Sequence, residues 1–594
     1  MKNLNVLCFF TLLFCFQTLV QAQTLMPRLV KKLNPNFSSH PFGFTNFNGS
    51  IYFFGTRSET RSDNIALWRT DGTEAGTLLV KDNIGFKTLG KLPEIKILGN
   101  QMLFLTYEFT NDSVYLNLWR STGTEAGTTI LRRSGGTFTE GTQNATGQMT
   151  LFNGRLYFNF FDDSGGSEPF STNGTEAGTQ ILRDLQTVSS GSGSTPSFPH
   201  RFTVFQNSLY FWTIPFVTGT GLKARLYRTN GTSVGTVMVK EFDSGFGEST
   251  FLSHLVPFNG KLYFSAKSSG TSGYELWSTT GTEAFTQLVK EINPGTLNSG
   301  DGVSRIFNAQ VFKNRLYFWA FDPASGHELW STDGTSAGTT FLRNTNSSSI
   351  PTVNQQQYNS NPFFVWGGKM YYANNDGIRG REPWVTDGTV AGTRFYADVN
   401  PGAGGSIDLW NPSYTLFRNN LYFRAFDGST TQVCMADTTN NTFSKLPVAN
   451  GFFRAEVLFD IQRADDEHFA FHELNGQLYF PAGFHETSAD PVDLSYDVFK
   501  LVPRPTLLPA QAQLMSMMLF PNPSQGQYFM FCESLTKPAK VSVVNSSGQS
   551  VWMSTIPIGQ NKWQLDLRSK PNGIYVVKIE TGGYARELKL IKHD

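Results

Sequence analysis

Four glutamates, Glu168, Glu275, Glu328 and Glu382, each precede an apolar-aromatic pair and stand six residues before a Gly-Thr turn. Two such carboxyls could hydrolyse a glycosidic bond if they converged from different elements to about 5 to 9.5 Å. An acid repeated with its module is instead carried to separated places, so its expected task is bonding to the neighbouring module. Asp71, Asp333 and Asp387, with Glu74 beside the first, could begin a calcium site. Calcium requires six to eight oxygens, and the same place holds Thr122, Asn173, Asn230 and Thr280 in other copies. What Asp, Asn and Thr share is the ability to bond their own turn backbone. The stretch "GTEAGT" could cradle phosphate only by opening a helix, ordinarily with a placed lysine, whereas an aliphatic run follows it here. His40, His200 and His254 stand near the starts of strands, where three imidazoles could hold zinc, but their spacing matches no zinc motif and ordinary strand-end histidines are preferred. No nucleophile elbow or Ser-His-Asp order is found. Catalytic, cofactor and metal residues are therefore all expected to be none.

These residues sit in a repeat. The first glycine of the Gly-Thr turn recurs as Gly72, Gly123, Gly174, Gly231, Gly281, Gly334 and Gly388, at intervals of 50 to 57 residues. A hairpin signature, "FNGSIYFFG" at 47 and "FKNRLYFWA" at 312 among others, precedes each turn and appears twice more, at 417 and 474, for nine in all. Each unit reads as four strands: one ending at an Asn-Gly type turn, the "LYF" run, the "ELW" run, and the aliphatic run after the Gly-Thr turn. That period is near the 40 to 50 residues of a propeller blade and no helical period competes. The fold expected is all-β, a β-propeller of about nine four-stranded repeats with eight the alternative count. The aromatic pairs Tyr52-Phe53, Tyr157-Phe158, Tyr263-Phe264 and Tyr317-Phe318 could stack on sugars, but period-two burial accounts for at least one of each pair.

The ninth unit lacks a fourth strand. "MPRLVKKLNPN", 26 to 36, matches "LVKEINPG" at 288 to 295, so Leu29-Val30 is expected to form the outer strand of the last blade and close the array. The connections 185–200, 345–362 and 400–412 vary in length and are rich in Ser, Asn, Gln and aromatics, which makes their face the candidate binding face. At this point the array resembles the ELWxxDGT-repeat proteins, through segments such as "ELWSTDGT" at 328 to 335, across about 35 to 500. The resemblance implies a secreted β-propeller and little about chemistry.

A net charge of +1 offers no general attraction to nucleic acid or acidic membranes. Residues 1–22 combine Lys2, an apolar run and Val20-Gln21-Ala22, the pattern of an export signal peptide. No later run is long enough to span a membrane as a helix. Cys8 and Cys15 lie in that leader, leaving Cys434 and Cys532 in different expected domains, so no disulfide framework is expected.

Residues 24–502 are thus expected to form the propeller, 503–518 a proline-bearing linker and 519–594 a small β-sandwich. Pro521-Asn522-Pro523, "VVNSSGQSV" with Gly548, "PNGIYVVKI" with Gly573 and Tyr575, and the final "KLIK" with Lys589 resemble the type A C-terminal sorting domain of the type IX secretion system. The resemblance implies passage through the periplasm to the cell surface or exterior, with the secretion machinery as partner. A binding protein for a glycan or protein, without cofactor, is the leading expectation. A propeller enzyme acting on extracellular polysaccharide and a structural envelope protein are the alternatives.

Overall fold

The computed structural model describes residues 25–593 other than 35–38, 57–63, 86–92, 111–112, 135–147, 162–165, 186–195, 218–220, 244–253, 269–272, 294–306, 323–324, 346–362, 408–413, 429–430, 438–441, 447–451, 455–470, 486–494, 504–517, 521–525, 532–536 and 558–561. The expected leader, Cys532 and Pro521-Asn522-Pro523 lie outside the described residues. Among those described, every regular element is a strand except the single 3-10 turn Glu283–Phe285.

The strands form eleven sheets, and nine of them precede residue 504. Seven of the nine are four-stranded antiparallel meanders in chain order. In sheet one the strands are Phe42–Phe47, Ser50–Thr56, Ile65–Thr70 and Leu78–Lys81; in sheet six they are Phe307–Phe312, Arg315–Asp322, Gly326–Thr332 and Thr340–Phe341. Tight first hairpins set the register. Asn48 and Gly49 both have positive φ, 48° and 75°, the conformation of a two-residue turn whose twist matches the flanking strands.

The second strand is buried on both faces. Leu316, Tyr317, Phe318, Trp319, Ala320 and Phe321 are all within the core, because each sheet is covered on both sides by its neighbours. Both members of every Tyr-Phe pair are therefore buried, where alternation by itself required at least one. Removing a fully buried aromatic from water stabilises by about 1.5 to 3 kcal/mol. Apolar clusters join each sheet to the next: Phe54 and Leu67 of sheet one meet Phe104 and Trp119 of sheet two, and Phe417 and Tyr422 of sheet eight meet Phe480 and Phe499 of sheet nine. A further cluster joins Leu474, Tyr479 and Val498 of sheet nine to Phe44, Ile51 and Phe53 of sheet one.

Sheet nine draws on both ends of this region. Its strands Gln477–His485 and Ser495–Pro503 are followed not by a chain-continuous fourth strand but by Leu25–Lys31, antiparallel, with Leu29 opposite Phe499. Its other edge carries two short strands, Phe452–Arg454 and His472–Leu474, where the repeat reads as one. Sheet four adds Phe216–Val217 against Gly221–Thr229. Sheet eight has its fourth strand although no Gly-Thr segment marks it: Thr431–Asp437 pairs antiparallel with Thr442–Lys445. Pro503 and Met518, the ends of the expected linker, both lie in strands, so a connection here spans at most 504–517.

The last two sheets pack face to face. One holds Met518–Phe520, Gln527–Phe531 and Lys562–Asp566; the other holds Ser550–Ile556, Ala539–Val544, Gly573–Thr581 and Tyr584–Lys592. Tyr528, Met530 and Leu565 meet Val541, Val577, Ile579 and Leu590 in one core. Gly548 has φ of 80° in the turn before Ser550–Ile556. Gly573 begins its strand opposite Lys592, and Lys589 pairs with Val576. Tyr575 Oη donates to the Pro571 carbonyl at 2.6 Å, tying strand to turn.

Candidate functional site

The Gly-Thr turns consume their own polar groups. Asp71 Oδ1 accepts from Thr73 N at 2.8 Å and Thr73 Oγ1 at 2.7 Å; Thr73 Oγ1 accepts from Gly76 N at 2.9 Å. Thr70 and Thr77 share a hydroxyl bond of 2.7 Å beneath, and Thr77 Oγ1 also reaches the Thr73 carbonyl. Asn173 and Asn230 accept through Oδ1 as Asp71 does, and Asp333 and Asp387 repeat it. These bonds hold the carboxyls of Asp71, Asp333 and Asp387 below the usual aspartate range. Among the described residues no three His, Cys, Asp or Glu side chains come together to hold a metal. In sheet five Phe285 replaces the second glycine, and there the turn tightens into Glu283–Phe285.

The first glycine has a different task. All seven have φ between 86° and 106°, and at each a Cβ would collide with a side chain from the preceding sheet. Tyr52 meets Gly123, Gln101 meets Gly174, Tyr157 meets Gly231, Tyr210 meets Gly281, Tyr263 meets Gly334, Tyr317 meets Gly388, and Tyr479 of sheet nine meets Gly72 of sheet one. The Tyr52 and Tyr317 hydroxyls donate to the glycine carbonyls at 3.4 Å, and Gln101 Nε2 does so at 3.2 Å. Sheet two uses Gln101 because Leu103 stands where the others carry tyrosine.

A second contact recurs beside it. A cation from the fourth strand, or just after it, donates to the last threonine carbonyl of the next turn: Arg132 to Thr179 at 3.0 Å, Arg183 to Thr236 at 2.5 Å, Arg343 to Thr393 at 2.8 Å and Lys31 to Thr77 at 2.8 Å. Sequence reasoning missed both contacts; their signal was a tyrosine in constant register within "LYF" and a cation after the aliphatic run.

The repeated glutamates are buried and hold the chain leaving their own sheet, where a bond to the neighbouring module was expected. Glu275 Oε2 accepts from Ile292 N at 2.6 Å, Glu328 Oε1 from Thr345 N at 2.9 Å, Glu382 Oε2 from Val399 N at 3.0 Å and Glu168 Oε2 from Leu185 N at 3.1 Å. Two also accept from serines farther along the connection, Ser197 at 2.8 Å and Ser406 at 2.5 Å. Burial outweighs these donors and raises the carboxyls of Glu275 and Glu382 to about 7. Asp497 does the same for sheet nine, accepting from Leu33 N at 2.9 Å. Of the three histidines, His254 Nε2 accepts from Arg201 Nη1 at 2.7 Å and His200 Nδ1 lies 2.9 Å from the Phe198 carbonyl.

The opposite face is formed by connections between second and third strands and between sheets. Parts of the three stretches singled out in sequence, 186–195, 346–362 and 408–413, lie outside the described residues. The best described pair belongs to sheet seven. Gly380 and Gly405 are in backbone contact, so neither admits a Cβ, and Asn400 Nδ2 donates to the Gly405 carbonyl at 2.8 Å. Asp376 caps Ile378 N and Arg379 N, leaving Ile378 67% exposed at the tip. Arg379 pairs with Asp376 and lies 4.7 Å over the Phe395 ring.

Residues 518–593 match the family described as "Secretion system C-terminal sorting domain". The chain therefore carries a sorting domain of the type IX secretion system and is destined for the cell surface or the extracellular space. Among its described residues no helix is long and apolar enough to cross a membrane. No curated protein is significantly similar in sequence. Solved structures with partial likeness include oligopeptidase B from Leishmania major (10% identity, 68% of this chain and 54% of that one, TM-score 0.33) and the polysaccharide lyase Uly1 (11% identity, 70% and 90%, TM-score 0.31). An α-L-arabinofuranosidase from Fusarium graminearum is also similar in part (10% identity, 52% and 96%, TM-score 0.26). The chain thus spans about half the length of the oligopeptidase.

Proposed function

We propose that residues 24–502 form a closed nine-bladed β-propeller of the ELWxxDGT-repeat kind, exported by the type IX machinery to bind an extracellular glycan or protein. The reading rests on one observation: sheet nine meets sheet one through the contacts used between successive sheets, Tyr479 on Gly72 and Lys31 on Thr77, with Leu25–Lys31 in the fourth-strand place. Binding belongs to the face of variable connections, because the turn face spends its side chains on itself. The recurring acids Glu168, Glu275, Glu328 and Glu382 are engaged in backbone bonds, which favours binding over hydrolysis.

The test is to apply the purified full chain to a glycan array and a polysaccharide panel, scoring retention and reducing-end release. Saturable retention without release is expected, and should weaken when the Gly377–Arg379 tip is replaced by Gly-Ser-Gly. Release of new reducing ends that is lost on mutating one loop acid would overturn the binding reading.

A further inference from the structure

An interlock at the turn glycine, made by tyrosine at six junctions and by Gln101 at one, joins seven of the nine neighbouring pairs of sheets and is missing on both sides of sheet eight. Toward sheet seven, Tyr371 occupies the tyrosine place, but in sheet eight the sequence between Asp437 and Thr442 contains no glycine. The Tyr371 hydroxyl is buried and has no hydrogen-bond partner among the described residues. Toward sheet nine, Tyr422 has no turn glycine to meet, because no Gly-Thr segment follows Ser495–Pro503 in the sequence and the fourth strand comes from the other end of the region.

Sheet eight also lacks one buried ring. The third-strand aromatic of the other sheets, Trp68, Trp119, Phe170, Tyr227, Trp277, Trp330, Trp384 or Phe499, is Cys434 here, wholly buried in a cluster with Tyr371, Tyr396, Leu421 and Phe423. The buried hydroxyl pair that braces each Gly-Thr turn has no counterpart, since Ala436 stands in its first place.

Local opening is governed by apolar contacts and internal bonds in the segment that opens, and it falls where these are fewest. We propose that sheet eight, residues 415–445, is the built-in opening point of the array: it detaches from sheets seven and nine while the other sheets stay folded. These pairwise contacts are independent of what the protein binds.

Hydrogen exchange on the purified full chain under native conditions tests it. Amides of Asn420–Phe426 and Thr431–Asp437 should exchange roughly tenfold faster or more than those of Lys261–Ala266 and Glu275–Thr279 in sheet five. The Cys434 thiol, located by peptide mapping, should react with a maleimide without denaturant while the circular dichroism spectrum is unchanged. Equal protection of sheets five and eight, or a thiol that reacts only on global unfolding, would overturn the proposal. A second variant checks the cause. Tyr263→Leu, the residue type that sheet two carries at this place, should speed exchange in Gly326–Thr332 and leave sheet eight as it was; unchanged exchange there would show that the interlock does not hold sheets together.

Discussion

Asp497 Oδ1 accepts a 2.9 Å hydrogen bond from the backbone N–H of Leu33, 464 positions away in the chain. It is the same bond that Glu275 makes to Ile292 at a separation of 17, so the first strand after residue 24 does for sheet nine what a continuous chain does for sheet five. Deleting Leu25–Lys31 should therefore lower the melting temperature sharply and broaden the transition, because it uncovers the edge of Ser495–Pro503 and the Val498 side of the core. Adding a peptide of residues 24–35 should restore part of the loss. An unchanged melting curve would reject the pairing as a source of stability.

Gly72 and Gly49 separate two reasons for glycine. Both have positive φ, but a Cβ on Gly72 would strike Tyr479 Oη whereas Gly49 faces open space. Gly49→Ala should cost about 1 kcal/mol from backbone strain alone. Gly72→Ala should cost about 2 to 4 kcal/mol, since the tyrosine must also move out of a packed interface. Urea unfolding of the two variants measures the difference, and Tyr479→Leu in the Gly72→Ala background should recover part of it.

Glu275 gives a pH dependence with a definite sign. Its carboxyl titrates near 7 in the folded chain, raised by burial from an ordinary value of 4.5, so the folded state holds the proton more tightly than the unfolded one. The stabilisation from that proton is complete below about 4.5 and is lost as pH rises through about 7. Glu275→Gln keeps an acceptor for Ile292 N without the charge, and its stability relative to the native protein should improve between pH 5 and pH 8. Glu275→Ala should be destabilised by about 1 to 3 kcal/mol at pH 5, because the Ile292 amide is left buried and unsatisfied. Denaturant unfolding at the two pH values reads both outcomes.

Asp333 tests the turn against the cation. Asp333→Asn should be nearly silent, since Asn173 and Asn230 make the same bonds. Asp333→Ala should cost about 1 kcal/mol by freeing Thr335 N and Oγ1. Neither calcium nor a chelator should shift the melting temperature; a calcium-dependent rise abolished by Asp333→Asn would show that the carboxylate serves a metal after all.

Much of this molecule is written locally. Asn-Gly turns with positive φ, Tyr-Phe runs bounded by polar turns and the 50 to 57 residue spacing are properties of short segments, so an array of about nine sheets with eight the alternative, the four-strand order that seven of them show, and a sorting domain expected at 519–594 and matched at 518–593 could be read from residues alone. The match of "LVKKLNPN" to "LVKEINPG" was local as well, which is why the strand at Leu25–Lys31 could be anticipated. Partners were another matter. Nothing within a dozen residues of Gly123 says that Tyr52 fills the space above it, or that Glu275 serves Ile292 and no neighbouring sheet. The two short strands on one edge of sheet nine and the buried Tyr371 hydroxyl beside sheet eight were invisible for the same reason. Backbone preference and burial period act through a few adjacent residues and survive in the linear order. Which side chain meets which glycine depends on how one sheet stacks on the next, and that is decided only when segments some seventy or more positions apart pack together.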